Sequence, residues 1–161
     1  MVKRILIVIC LLALTLVKPA AAIESKMFNL RGALFDQSKV IQKAIPTSKD
    51  IFILNTLFNT CILTISQVDA YFSMMDIFNS VRKDDLTASN VQTLTRWLSE
   101  LKYANDMNLK SLGSFSVPVD PATTEYIGKL KSIYTELNKM VDAELNKVSI
   151  LKKSIKPSKK K

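Results

Sequence analysis

The sequence predicts an all-α fold: an elongated up-down-up-down four-helix bundle that follows an N-terminal signal peptide and precedes a disordered, basic C-terminal tail. Three observations predict it. Three glycines and five prolines in 161 residues disfavour turn-rich β folds and low-complexity chains. Apolar residues recur at alternating spacings of three and four in four segments, which is the period of an amphipathic helix. Helix caps and helix breakers separate those segments.

The first 22 residues have the layout of a secretory signal peptide. Lys3 and Arg4 precede an apolar run over 5–17, and three alanines ending at Ala22 follow it, so we expect cleavage after Ala22. As a helix the run would extend about 20 Å, short of the roughly 30 Å hydrocarbon core of a bilayer. We therefore expect a secreted or periplasmic protein without a stable membrane span in the mature form.

The remaining chain divides into a bundle domain over 23–151 and a lysine-rich flexible tail over 152–161. Once Lys3, Arg4 and Lys18 are removed with the leader, 20 basic and 14 acidic residues remain, and six of the basic residues lie in the tail. Positions 23–151 are thus neutral overall. Pro157 and the dense positive charge predict that the tail does not pack. Its lysines are Lys152, Lys153, Lys156, Lys159, Lys160 and Lys161.

These six lysines form the predicted polyanion-binding site. Such a segment attracts anionic lipid headgroups, acidic polysaccharide or an acidic protein partner. The alternative interpretation is a solvated tail that keeps a neutral domain soluble. Nucleic acid is disfavoured because the tail has no arginine for bidentate contacts and no aromatic residue for stacking.

The first helix is predicted from Ser25 to about Ile45, where Pro46 stops it. The second begins with a capping-box-like pattern, in which the Thr47 side chain accepts a backbone N–H and Asp50 reaches back. A strict three-four alternation then predicts a packed seam. It comprises Ile51, Leu54, Phe58, Cys61, Ile65, Val68, Phe72 and Met75. This helix is so apolar that it is either central in the bundle or in contact with a membrane or partner.

The charged stretch over 82–85 separates the second helix from the third. Thr87 or Ser89 caps the third helix, and Gly113 ends it. Its stripe of Val91, Leu94, Leu98, Leu101 and Leu112 is interrupted by Asn105 and Asn108. An extended connector over 114–120 leads to the fourth helix, with Asp120 as the cap and Pro121 in the first turn. Its inner face is Ile127, Leu130, Tyr134, Leu137, Val141, Val148 and Leu151, broken by Glu144.

Counting from the end shared by Pro46 and Gly113, up-down topology brings Gln37, Asn59, Asn105 and Gly128 to one height. Polar groups beside a glycine that vacates volume predict a small pocket for an amphiphile with a polar head. The alternative is that these amides set helix register or face water.

No catalytic, metal-binding or nucleotide-binding motif occurs, and the chain has no histidine. Imidazole-based catalysis, histidine metal sites and haem attachment are excluded, and we expect neither enzymatic activity nor a cofactor. Asp69 and Asp76 share a helical face, where a carboxylate pair most often forms a solvated edge. Cys61, the one cysteine left after the leader, is interpreted as a buried small hydrophobe, the alternative being an intermolecular disulfide or reactive thiol.

The prediction for function is therefore an exported, non-enzymatic binding protein whose basic tail attracts it to anionic surfaces or partners. One alternative is a secreted carrier that encloses a lipid or other apolar ligand within the bundle. The other is a helical effector or oligomeric structural component whose apolar surface is completed by another chain.

Overall fold

The computed structural model describes residues 25–80 and 87–154, and every regular element among them is helical. Helix α1 occupies residues 25–44 and is followed by a 3₁₀ turn, Ile45–Thr47. Helices α2, α3 and α4 span Ile51–Ser80, Ala88–Ser114 and Pro121–Ser154. The all-helical prediction is confirmed. The signal peptide predicted over 1–22 lies outside the described residues.

The turn between α1 and α2 differs from the predicted capping box. Pro46 ends α1, but the chain continues into the 3₁₀ turn, and the Thr47 hydroxyl donates back to the Ala44 carbonyl at 3.3 Å. The backbone N–H of Asp50 is instead bound by the Ser48 hydroxyl at 3.0 Å. The capping prediction was wrong because Thr47 belongs to the preceding turn, four residues before α2 begins at Ile51.

The start of α3 follows one of the two predicted alternatives. Thr87 is the N-cap, and its hydroxyl accepts the N–H of Asn90 at 3.3 Å while the Asn90 side chain accepts the N–H of Thr87 at 3.0 Å. This reciprocal pair satisfies two backbone donors that a helix start leaves free. At the other end Gly113 does not terminate α3, which continues through Ser114, since Gly113 keeps ordinary helical backbone angles with no positive φ.

Helix α4 starts at Pro121, as predicted, and extends to Ser154. The predicted boundary between domain and tail, after Leu151, therefore falls inside this helix. Lys152 and Lys153 form part of its last turn. Nothing between Val148 and Ser154 breaks a helix, and positive side chains are favourable at a helix C-terminus.

The apolar core consists of two clusters, each drawing on all four helices. One contains Met27 of α1, Val68 of α2, Leu98 of α3 and Val141 of α4. The other contains residues nearer the α1–α2 and α3–α4 connections, among them Leu34, Leu54, Leu112, Ile127 and Leu130. The predicted inner faces of α3 and α4 are largely the buried ones.

The seam of α2 is rotated relative to the prediction. Ile51, predicted to be inside, is half exposed, and Phe72 is only partly buried. Leu57 and Tyr71 are buried instead. Apolar residues occupy almost every side of the first half of α2. The spacing alone therefore does not determine which of two adjacent apolar positions packs inside.

Polar and aromatic contacts fix which residues of neighbouring helices meet. Between α1 and α2, Arg31 binds Asp69 through two hydrogen bonds of 2.6 and 2.8 Å, and Phe28 contacts Phe72 with ring centroids 6.3 Å apart. Between α3 and α4 the contacts are Lys102 with Asp142 and Asp106 with Asn138. Between α2 and α3, Asn108 donates to Thr64 at 3.2 Å.

Candidate functional site

The first candidate site is the basic end of α4. Lys152 and Lys153 are exposed in its last turn, and neither makes an ion pair with another described residue. Because they are held on a helix, they are not part of a flexible tail as predicted. Their positions in space are set by the packing of Val148, which is 5% exposed, one turn earlier. The other four predicted lysines, Lys156, Lys159, Lys160 and Lys161, lie outside the described residues.

The structure does not bring the four residues of the predicted pocket together. Gln37 and Asn105 are buried, but Asn59 and Gly128 are exposed. A Cβ placed on Gly128 would meet no atom within 4 Å, so this glycine does not border packed volume. The prediction was wrong at these two positions because it counted only heights from the helix ends, whereas Asn59 and Gly128 occupy helix faces that are exposed to solvent.

The observed contacts define the register of the helices. Thr64 of α2 lies beside Asn108 of α3 and beside Tyr134 of α4, whose hydroxyl is 3.4 Å from the Thr64 hydroxyl. Arg31 pairs with Asp69 and Phe28 with Phe72, so later positions of α1 pair with earlier positions of α2. Continuing this pairing by six residues brings Gln37 near the height of Thr64. We call Gln37, Thr64, Asn108 and Tyr134 the polar layer. Sequence reasoning placed Tyr134 on the inner face of α4 but assigned neither Tyr134 nor Thr64 to a site. The hydroxyl of Tyr134 on an apolar face was the available signal.

Tyr134 of the polar layer and the neighbouring Cys61 both belong to the second apolar cluster, and burial shifts the pKa of each. Burial raises the pKa of Tyr134, which Thr64 contacts. Burial likewise raises the pKa of the Cys61 thiol to about 12, although a hydrogen bond with Tyr134 opposes the shift. Cys61 is free and fully buried, which agrees with its interpretation as a small hydrophobe. A protonated, inaccessible thiol is neither a nucleophile nor a disulfide partner.

Buried amides within this layer and one turn away from it lack partners. Asn105 is fully buried, and neither its side-chain oxygen nor its nitrogen has a hydrogen-bond partner among the described residues. The Gln67 oxygen and the Gln37 nitrogen are in the same condition. An unpaired buried amide costs about 1–3 kcal/mol. These groups therefore oppose folding, and Asn105 does so most clearly.

Two clefts open near these residues. A groove between α1 and α4 has a volume of about 450 Å³. It is lined by Ala33, Asp36, Gln37, Val40, Lys129, Ser132 and Ile133. A smaller cleft of about 60 Å³ lies between α2 and α3, beside Trp97. The groove is large enough for a small ligand, whereas the smaller cleft is not.

Two aspartates connect the α1–α2 and α3–α4 turns. The Asp50 carboxylate accepts the backbone N–H groups of Val119 at 3.0 Å and Asp120 at 2.8 Å. The Asp120 carboxylate accepts the Ser48 hydroxyl and the N–H of Lys49, the latter at 2.8 Å. We call this arrangement the aspartate clasp. Asp120 was predicted to cap α4, but its carboxylate is engaged across the clasp instead.

The clasp and the Arg31–Asp69 pair both lower carboxylate pKa values. Hydrogen bonds from the N–H groups of Val119 and Asp120 lower the pKa of Asp50, and the hydrogen bond from Arg31 lowers that of Asp69. Both carboxylates are thus stabilised in their charged forms by structural partners. Asp69 joins two helices, and Asp76, the other member of the predicted edge, is exposed.

Within residues 25–80 and 87–154, no three histidine, cysteine, aspartate or glutamate side chains are grouped so as to hold a metal ion. By length and composition, α2 is the single described helix apolar enough to cross a membrane, with a mean hydropathy of 1.6 in an 18-residue window that is 39% buried.

Comparison of the chain with protein-family models, curated proteins and solved structures finds no match. The site must therefore be interpreted from its own chemistry.

Proposed function

We propose that the protein is an exported, non-enzymatic binding protein, and that its basic C-terminal segment attracts it to anionic surfaces or partners. The observation that carries this proposal is the exposure of Lys152 and Lys153 at the end of α4, at the start of a segment with four further lysines and no acid. Residues 23–151 hold equal numbers of acidic and basic residues, so the long-range attraction comes from this end.

An up-down-up-down bundle supports the proposal by placing the basic segment at one end of the molecule. Pairing of Arg31 with Asp69 and of Phe28 with Phe72 fits antiparallel α1 and α2. Pairing of Lys102 with Asp142 and of Asp106 with Asn138 fits antiparallel α3 and α4. In this arrangement the C-terminus of α4 is far from the aspartate clasp, so a surface can approach the lysines without disturbing the turns.

Liposome sedimentation tests the proposal. The variant Lys152→Gln/Lys153→Gln/Lys156→Gln should bind vesicles containing phosphatidylserine about 100-fold more weakly, because each lysine near an anionic surface contributes roughly 1 kcal/mol. Binding of the unaltered protein should also weaken as salt is raised. The matched control is Lys43→Gln/Lys110→Gln/Lys131→Gln, which removes the same charge from exposed positions on the body. Equal losses in the two variants would contradict the proposal.

A second candidate function is carriage of a small amphiphile. The observation that favours it is the α1–α4 groove of about 450 Å³, whose apolar lining includes Val40 and Ile133 and whose polar lining includes Asp36 and Lys129. Native mass spectrometry of gently purified protein should then show a bound small molecule that is lost in Ala33→Phe, which fills the groove. The control Ala122→Phe, at an exposed position of α4, should keep it.

A further inference from the structure

Gln37 forms part of the wall of the α1–α4 groove and carries an amide that the protein leaves unpaired. Its side chain is only 8% exposed, and its Nε2 atom has no hydrogen-bond partner among the described residues. A buried N–H without an acceptor destabilises the folded chain. A ligand in the groove that supplies an acceptor recovers this loss.

The Gln37 amide can present an N–H to the groove. Its Nε2 atom lies below the surface, but the terminal torsion of glutamine is broad and roughly two-fold. The amide plane therefore turns without a movement of the α1 backbone. Gln37 is also the one buried residue of the lining, so a hydrogen bond that it makes to a ligand is shielded from water and correspondingly stronger.

The two charged residues of the lining differ in how far they are already engaged. Lys129 pairs with Glu125, one turn earlier on α4, at 2.6 Å. Asp36, on the α1 wall, makes no ion pair or hydrogen bond with another residue of the part of the chain that the structure describes. The unpaired charge of the lining is therefore negative, which repels a carboxylate and attracts an N–H donor.

Apolar side chains supply much of the remaining lining. Ala33 and Ile133 are partly buried, and Val40 is 45% exposed. An aliphatic chain that lies in the groove removes this hydrocarbon surface from water. Apolar walls with a few polar groups at fixed positions are typical of small-molecule sites.

We propose that the α1–α4 groove binds an uncharged aliphatic secondary amide, that is, an acyl chain joined to a small amine through one amide bond. The carbonyl oxygen of this ligand accepts an N–H of Gln37, its own N–H donates to the Asp36 carboxylate, and its chain covers Val40 and Ile133. A fatty acid lacks the N–H and carries the charge that Asp36 repels. The inference rests on the carriage function proposed above and names the class of its ligand.

Nuclear magnetic resonance titration of the ¹⁵N-labelled full chain at pH 7 tests the inference. The probes are N-methyloctanamide, N,N-dimethyloctanamide, which lacks the N–H, and octanoate, which lacks the N–H and is charged. We expect N-methyloctanamide to bind about tenfold more tightly than octanoate, because octanoate loses a hydrogen bond and is repelled. Equal or tighter binding of octanoate would overturn the inference.

Variants of the two polar residues separate their contributions. Gln37→Leu should weaken the binding of N-methyloctanamide about tenfold, which corresponds to one buried hydrogen bond. The matched control is Gln42→Leu, an exposed glutamine of α1 outside the groove, which should bind like the unaltered protein. Asp36→Leu should abolish the preference for N-methyloctanamide over N,N-dimethyloctanamide.

The side-chain signals of Gln37 in the unaltered protein provide a second measure, in case Gln37→Leu alters the packing of α1. They should move downfield with N-methyloctanamide and saturate together with the backbone signals of Ala33 and Val40. Gln37 signals that stay in place while the probe binds would overturn the inference.

The inference and the carriage function fail in different ways. Probe binding that is lost in Ala33→Phe but is unaffected by Gln37→Leu and Asp36→Leu would overturn the inference and leave carriage intact. Absence of binding by all three probes would also overturn the inference. Carriage itself fails only if native mass spectrometry of the gently purified protein shows no bound molecule.

Discussion

Asn105 places an amide in the interior where its hydrogen-bonding capacity goes unused. Its side chain is fully buried and has no hydrogen-bond partner among the described residues. Asn108, one turn later on α3, instead donates to Thr64 at 3.2 Å. Two asparagines that interrupt the same apolar stripe thus have opposite energetic effects.

Replacing Asn105 with leucine should raise the free energy of unfolding by about 1–2 kcal/mol, because an unsatisfied buried amide is removed. Urea denaturation measures the change. Asn108→Leu is the matched control and should leave stability unchanged or lower it, since it removes a hydrogen bond. A loss of stability in Asn105→Leu comparable to that in the control would show that the amide has a partner in solution.

The Cys61 thiol is expected to be unreactive because it is buried. Its thiol has no solvent exposure, and burial raises its pKa to about 12. At pH 8 the thiol is therefore protonated.

When Cys10, which lies in the predicted leader, is replaced by serine, Cys61 should react with a disulfide reagent at pH 8 only as fast as the protein unfolds. The control Ser66→Cys adds an exposed thiol on α2, which should react within the mixing time at low protein concentration. Labelling of Cys61 at the rate of the exposed thiol would contradict its burial.

At the scale of an element, α4 contains a glycine in its first half that serves no packing purpose. Gly128 has no positive φ, and an added Cβ would contact nothing within 4 Å. Glycine in a helix interior costs roughly 0.5–1 kcal/mol relative to alanine. The helix tolerates it because buried neighbours such as Ile127 and Leu130 hold the segment in place.

Gly128→Ala should accordingly stabilise the protein by about 0.5–1 kcal/mol, measured as a higher urea midpoint with an unchanged slope. The companion change Ala122→Gly, at an exposed position in the first turn of α4, should act in the opposite direction. Destabilisation by Gly128→Ala would instead support the predicted pocket, because it would show that a side chain at this position fills space that the fold needs.

For the whole molecule, the aspartate clasp ties together two turns that are about 70 residues apart in sequence. Its Asp50 carboxylate has a lowered pKa in the folded state, so folding favours its charged form. The stability it supplies is complete above about pH 4, the ordinary aspartate pKa, and is lost as the pH falls through the lower folded value.

Asp50→Asn should therefore lower the thermal midpoint at pH 7 and flatten the fall in stability as the pH drops below about 4. Differential scanning calorimetry at several pH values measures both effects. Asp36→Asn, at an exposed position of α1 without a described hydrogen bond, should preserve the acid dependence. If the two variants show the same pH profile, the clasp does not contribute to acid sensitivity.

Local sequence patterns predicted most of the helices of this protein. The helices and most of the buried face of α4 followed from the scarcity of glycine and proline, the three-four spacing, the cap at Thr87 and the proline at the start of α4. Periodicity and capping act within one helix, so sequence alone reveals them. Candidate residues with exposed charge, such as Lys152, could also be named from composition, although the helical state of Lys152 could not.

Tertiary structure alone decided the register between helices and the partners of the polar groups. The pairing of α1 with α2 brings Gln37 near the height of Thr64 rather than that of Asn59, and Asp50 binds Val119 and Asp120 instead of capping its own helix. Register depends on how side chains of different size interdigitate across an interface, and a carboxylate takes whichever N–H groups the packed turns bring nearest. Neither quantity is encoded in the spacing along a single helix.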